Sequence, residues 1–153
     1  MKITSPKMLA VWARKNAALG LKVAAAMAYA EVERERVDAY EKPIYDSYEF
    51  RDENGELVPY KNWLWVNDDR VNDFFERMKD VHVEHGWKGD RDYHPALVAE
   101  NALIEAENEL LRLGAVEVMG IDPDSLIGSR LDLRKKAIDM LLGMLLSAVK
   151  KSR

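Results

Sequence analysis

The sequence predicts a mainly α protein, a helical bundle of about four principal helices with a small β-hairpin insertion at about 43–66. Three observations carry this. Apolar residues recur at helical spacing over long stretches, Pro and Gly punctuate the ends of those stretches, and one Asn54-Gly55 pair stands between two short alternating runs. With 153 residues and 48% hydrophobic content, the chain is sized for a single helical domain over 1–153. Its charged fraction of 33% is accompanied by enough aliphatic side chains to exclude wholesale disorder.

Ser5-Pro6 opens the first helix with a hydroxyl cap and a proline whose missing N–H costs nothing at the first helical position. The helix should run to about Tyr40. Met8, Trp12, Leu19, Val23, Met27, Ala30 and Val37 share one face, and Gly20 is the expected kink or break. Residues 17–30 hold seven alanines, which favour helix and admit a close neighbour. Between Lys42 and Trp65 the composition turns aromatic and includes Pro43 and Pro59. A ribbon turning at Asn54-Gly55 should lie on the helices through Tyr45, Tyr48, Phe50, Trp63 and Trp65.

Asn67-Asp68-Asp69 caps a second helix that ends at His85 before Gly86. One side carries Val71, Phe74, Phe75, Met78, Val81, His82 and His85. An acidic stripe of Asp69, Asp73, Glu76, Asp80 and Glu84 lies opposite. His94-Pro95 opens a third helix that closes at Leu113 before Gly114. Ala115–Met119 reads equally as helix or strand. Asp122-Pro123 restarts a helix, and after a break at Gly128-Ser129 the last helix covers roughly Arg130 to Lys150. Only a narrow arc of that helix is polar, comprising Lys136, Asp139, Gly143, Ser147 and Lys150. Its apolar side chains wrap about two thirds of the circumference, which demands a central position or a subunit interface.

Charge is segregated along the chain. The formal total is -4, but residues 1–30 carry +5 and residues 130–153 carry another +5, leaving -14 on residues 31–129. The basic ends are expected to pack beside the acidic middle, in one fold or a symmetric oligomer. The competing reading has them contact phosphate through Lys7, Arg14, Lys15, Lys22, Arg134 and Lys135.

With no Cys there is no disulfide, Cys-zinc site or thiol nucleophile. The first apolar stretch is interrupted by Arg14, Lys15 and Lys22, and the run Ala137–Val149 is shorter than the ~20 residues of a membrane span. A cytoplasmic location is therefore expected, without membrane contact. Walker A, Gly-x-Ser-x-Gly and Gly-x-Gly-x-x-Gly motifs are missing from the sequence.

His82-Val-Glu-His85 puts two imidazoles on one helix face, with His94 or Glu100 as conceivable third ligands. The spacing is not that of zinc hydrolases, so core or interface histidines are expected. The pairs Glu31/Glu35 and Glu105/Glu109 could hold Mg but read as solvated helix faces. Glu100 and Glu107 project between apolar rows of the third helix and should be partly desolvated, with bases from the end helices as partners.

Together these features suggest a non-catalytic helical interaction or assembly protein. It would act through protein–protein contacts as a homo-oligomer or as a small subunit of a larger complex, of virus-like or mobile-element kind. Leu141, Met144, Leu145, Trp63 and Trp65 are the expected partner interface, with no cofactor, metal or catalytic residue assigned. Nucleic-acid binding through the basic ends is the alternative, and a metal-dependent hydrolase the weaker one.

Overall fold

The structure is a computed structural model that describes residues 3–88, 95–127 and 131–151. It is mainly helical. In chain order the elements are α1 (Pro6–Lys15), α2 (Ala17–Tyr45), a 3-10 turn (Tyr60–Trp65), α3 (Arg70–Glu84), α4 (Pro95–Gly114), a π-helical turn (Ala115–Met119), α5 (Pro123–Ile127) and α6 (Leu131–Lys151). The expected ligand His94 and the expected break at Gly128-Ser129 lie outside the described residues, as does Arg130.

Local chemistry explains most boundaries. The Ser5 hydroxyl accepts from the Met8 N–H at 3.2 Å, capping α1 with Pro6 in its first turn. Asp69 is the N-cap of α3 and its side chain makes no cap bond; instead Asp68, one residue earlier, accepts from the Arg70 N–H at 2.9 Å, and Gly86 follows that helix at φ +102°. The first long helix breaks at Asn16, not at Gly20. The Asn16 amide donates to the Trp12 carbonyl at 2.9 Å, so side chain and backbone compete for one acceptor and the helix restarts. Gly20 sits inside α2, which continues past the expected end at Tyr40 to Tyr45 and contains Pro43.

The chain condenses into two compact units. Unit 1 takes Met1–Ala30 and Ala99–Arg153, and unit 2 takes Glu31–Val98. In unit 1 α6 is the central element. Its Ala137, Ile138, Leu141, Leu142, Leu145 and Ala148 are buried against Trp12 and Ala13 of α1, Val23 of α2, Leu110 and Leu111 of α4 and Leu126 of α5. Two glycines make this possible. A Cβ on Gly20 would stand 2.7 Å from Leu145 Cβ, and one on Gly114 would stand 2.5 Å from Leu141 Cδ2. The π-helical turn is tied to the N-terminal segment, since the Trp12 indole donates to Glu117 Oε2 at 2.6 Å and the Ile3 N–H to the Glu117 carbonyl at 3.1 Å.

Unit 2 closes around aromatic side chains. Trp63 meets Phe74 edge-on with centroids 4.9 Å apart and Phe50 at the same spacing, and Ile44, Val71 and Met78 complete the buried set. The expected β-hairpin is not formed. No strand occurs among the described residues, and the segment reduces to one antiparallel bridge, Arg51 with Leu57, around a turn with Gly55 at φ +79°. The reason is local. Asp52 Oδ1 collects the Asn54 and Glu56 N–H groups at 2.9 and 3.0 Å, which ties the ladder into a side-chain turn. The Val58 carbonyl accepts from the Trp63 indole at 2.9 Å, and Pro59 has no N–H with which to extend pairing.

The glycines give a paired test by urea or thermal unfolding. Gly20→Ala should destabilise, because an overpacking cost of about 1–3 kcal/mol exceeds the roughly 1 kcal/mol gained in helix propensity. Gly143, whose added Cβ would meet nothing within 4 Å, should gain about 1 kcal/mol as Ala. Equal effects of the two changes would refute the close α2–α6 packing.

Candidate functional site

The residues expected to meet a partner divide. Leu141 and Leu145 have 0% exposure and belong to the core of unit 1, so they offer no surface to another chain. Trp63 is buried in the aromatic cluster of unit 2, whereas Met144 is half-buried. Trp65 does not lie against the helices as expected; it is 81% exposed. The 3-10 turn accounts for this, because three residues per turn place Trp63 with Tyr60 on the packed side and leave Leu64 and Trp65 outside.

Sequence reasoning missed the outward side of α2. Ala18, Leu21, Ala25, Ala28 and Val32 recur at alternating three- and four-residue steps and are all exposed, with Leu21 at 48% and Val32 at 60%. Tyr29, at 48%, flanks the row. The opposite side holds the buried Gly20, Val23, Ala30 and Val37. The helix is thus apolar on both sides through its first half. A second reading of the alanine-rich segment on the helical wheel would have found this, since the core row and the outward row are separately periodic.

The histidines sit beside α2 within unit 2. His82 Nδ1 is 3.2 Å from the Tyr40 hydroxyl, and its Nε2 is 3.1 Å from Glu41 Oε1. The His85 ring stacks on Tyr40 with centroids 4.0 Å apart. Burial raises the Glu41 carboxyl above its ordinary range, opposed by the hydrogen bond it accepts from Tyr45. A tyrosine, one carboxylate and the Trp87 ring are among the partners of His82. Among the described residues no three His, Asp or Glu side chains gather with metal-binding geometry.

Two basic candidates are engaged within unit 1. Lys22 Nζ lies 2.8 Å from Glu109 Oε2, and Arg134 Nη2 lies 3.7 Å from Glu107 Oε1 with both side chains mostly buried. Lys7, Arg14, Lys15 and Lys135 are exposed. Glu100 is exposed too, so the expected desolvation falls on Glu107 alone. Burial raises the Glu107 carboxyl, outweighing the lowering by Arg134. At 3.7 Å the guanidinium nitrogen is beyond hydrogen-bond distance, and neither it nor Asn108 Oδ1 has a hydrogen-bond partner.

Compared with known proteins, the chain matches no family model, no curated protein and no solved structure.

The Glu107 site predicts a pH signature. A carboxyl whose folded-state value is raised binds its proton more tightly in the folded chain, so stability falls as pH rises from its ordinary 4.5 through the raised value. Glu107→Gln should flatten that part of a Tm-versus-pH curve. Arg134→Met should cost about 1–3 kcal/mol at neutral pH by leaving the carboxylate without its cation. The double change Glu107→Met, Arg134→Met should be close to neutral, because packed apolar side chains replace a desolvated ion pair without loss. An unaltered pH slope in Glu107→Gln would remove the assignment.

Proposed function

We propose that this chain is a non-catalytic helical assembly protein that associates with a second copy of itself through the outward side of α2. The observation that carries the reading is the exposed row Ala18, Leu21, Ala25, Ala28 and Val32. Single exposed apolar residues are ordinary on protein surfaces, but a contiguous row at seam spacing is not. From Ala18 to Val32 the row is roughly 21 Å long at 1.5 Å per residue, and its alanines let a partner helix approach closely.

Charge argues for a second copy in antiparallel orientation. The same side of α2 continues from Val32 to Glu35, and Glu31 lies on its flank. A parallel pair would set each Glu35 against its own copy in the seam. An antiparallel pair brings Glu35 opposite Ala18 at the end of the contact, where the carboxylate reaches water. The isologous geometry of such a pair closes as a dimer.

The nucleic-acid alternative is less supported, because Lys22 and Arg134 already pair with Glu109 and Glu107. A larger assembly, of virus-like or other kind, would need a second surface beyond this one.

Light scattering coupled to size exclusion tests the proposal. At about 100 μM, where even a modest contact of about -5.5 kcal/mol is half occupied, the chain should run as a dimer. Leu21→Glu with Val32→Glu should return it to monomer without changing its helical circular dichroism, since both side chains already face solvent. A strict monomer at that concentration would overturn the reading.

A further inference from the structure

Unit 2 carries a feature of its own. A groove of about 610 Å³ opens beside Trp65 at the meeting of the Asp52–Gly55 turn and the 3-10 turn. That volume is in the range of small-ligand sites. Trp65, 81% exposed, packs on no other aromatic ring among the described residues and forms one wall. Asn54, Asn62 and Asn67 line the rest with Arg51, Asp52 and Glu53, and Val58 and Val66 supply apolar surface.

Most of that polar lining is uncommitted. Asp52 Oδ1 is engaged by the backbone of its own turn, which fixes the turn's shape. The side chains of Glu53, Asn54, Asn62 and Asn67 make no hydrogen bond among the described residues. Each amide offers two donors and a two-lone-pair acceptor, and each carboxylate offers acceptors only. An exposed indole beside such groups asks for a ligand with a flat apolar face and a rim that both donates and accepts.

We propose that this groove binds a neutral carbohydrate, with one face of a pyranose ring stacked on Trp65 and its hydroxyls hydrogen-bonded by Asn54, Asn62, Asn67 and the two acids. The axial C–H groups of a sugar ring form the flat apolar face, and its equatorial hydroxyls both donate and accept. A nucleic acid would also stack, but Asp52 and Glu53 repel phosphate and Arg51 is held by the Gly55 carbonyl and Glu49. A protein anchor would bury Trp65 against apolar neighbours, whereas three of the nearest side chains are amides. The openness of the groove to solvent suits a chain of sugars better than a single one.

The test is titration of the full chain with cellohexaose, chitohexaose and maltohexaose at millimolar concentration, followed by tryptophan emission and calorimetry. At least one should bind saturably, with a blue shift of emission as stacking dehydrates the indole. Trp65→Ala should weaken that binding at least tenfold, and Trp65→Phe less, because a smaller ring remains. Asn62→Ala and Asn67→Ala should each weaken it severalfold with Tm unchanged. Binding should be insensitive to salt. No saturable binding to any of the three, equal binding by Trp65→Ala, or preferential salt-dependent binding of oligothymidylate would each overturn the proposal. Because the groove variants and the α2 variants change different residues, dimer formation and sugar binding fail or succeed separately.

Discussion

The packing of unit 1 depends on one constraint: successive turns of α6 place Leu141 and Leu145 against two glycines that belong to two other helices. Gly114 of α4 receives Leu141, and Gly20 of α2 receives Leu145. With any side chain at those positions the helices would stand farther off and expose the α6 leucines, at a cost of about 25 cal/mol per Å² of apolar surface. The glycines give up roughly 1 kcal/mol of helix propensity each, yet they remove from water the two largest fully buried side chains of α6. They also set how the helix is shared. Because neighbours come close on two sides, α6 satisfies most of its apolar circumference inside the chain, and among its described side chains Leu133 and Met140 are the large exposed apolar ones.

That arrangement explains what could and could not be read from the sequence. Apolar periodicity located the helices because it records burial, and Ser5-Pro6, Asp68 and Gly86 marked ends because each satisfies or releases particular backbone groups. The unusual apolar width of α6 was also legible, and it required either a central place or a partner. Choosing between those needed the glycines on α2 and α4 to be matched with leucines more than a hundred and about thirty residues away, and periodicity carries no such pairing. Gly20 therefore read as a break, when its role is to bring two helices together. The break fell at Asn16, whose side chain competes for a backbone carbonyl.

The hairpin signal failed for a related reason. Asn54-Gly55 does form a turn, and the Asp52 N–H to Glu56 carbonyl and Val58 N–H to Phe50 carbonyl bonds cross it, but the pairing extends no further. Here Asp52 occupies two donors, the Trp63 indole occupies the Val58 carbonyl, and Pro59 contributes no donor. The aromatic residues then settle by 3-10 geometry. That is why Trp63 and Trp65, two positions apart and alike in sequence, end in a packed cluster and in solvent.

Charge segregation is partly resolved within unit 1, where Lys22 meets Glu109 and Arg134 meets Glu107, pairing both basic ends with α4. The two pairs are not equivalent. Lys22 and Glu109 are exposed and their attraction is screened, contributing about 0–1 kcal/mol. Arg134 and Glu107 are mostly buried, and burial outweighs the cation in setting the Glu107 carboxyl. The outward side of α2 differs from both, because no described residue covers it. Alanine forms helix without needing burial, so exposing Ala18, Ala25 and Ala28 costs little and needs no partner to explain it. Leu21, Tyr29 and Val32 have no such excuse. They gain nothing for helix stability that lysine or glutamate would not supply, and they leave apolar surface in water. The presence of Leu21 and Val32 in one row, with Tyr29 on its flank, is therefore the part of α2 that folding alone does not account for, and it is the ground on which self-association is proposed.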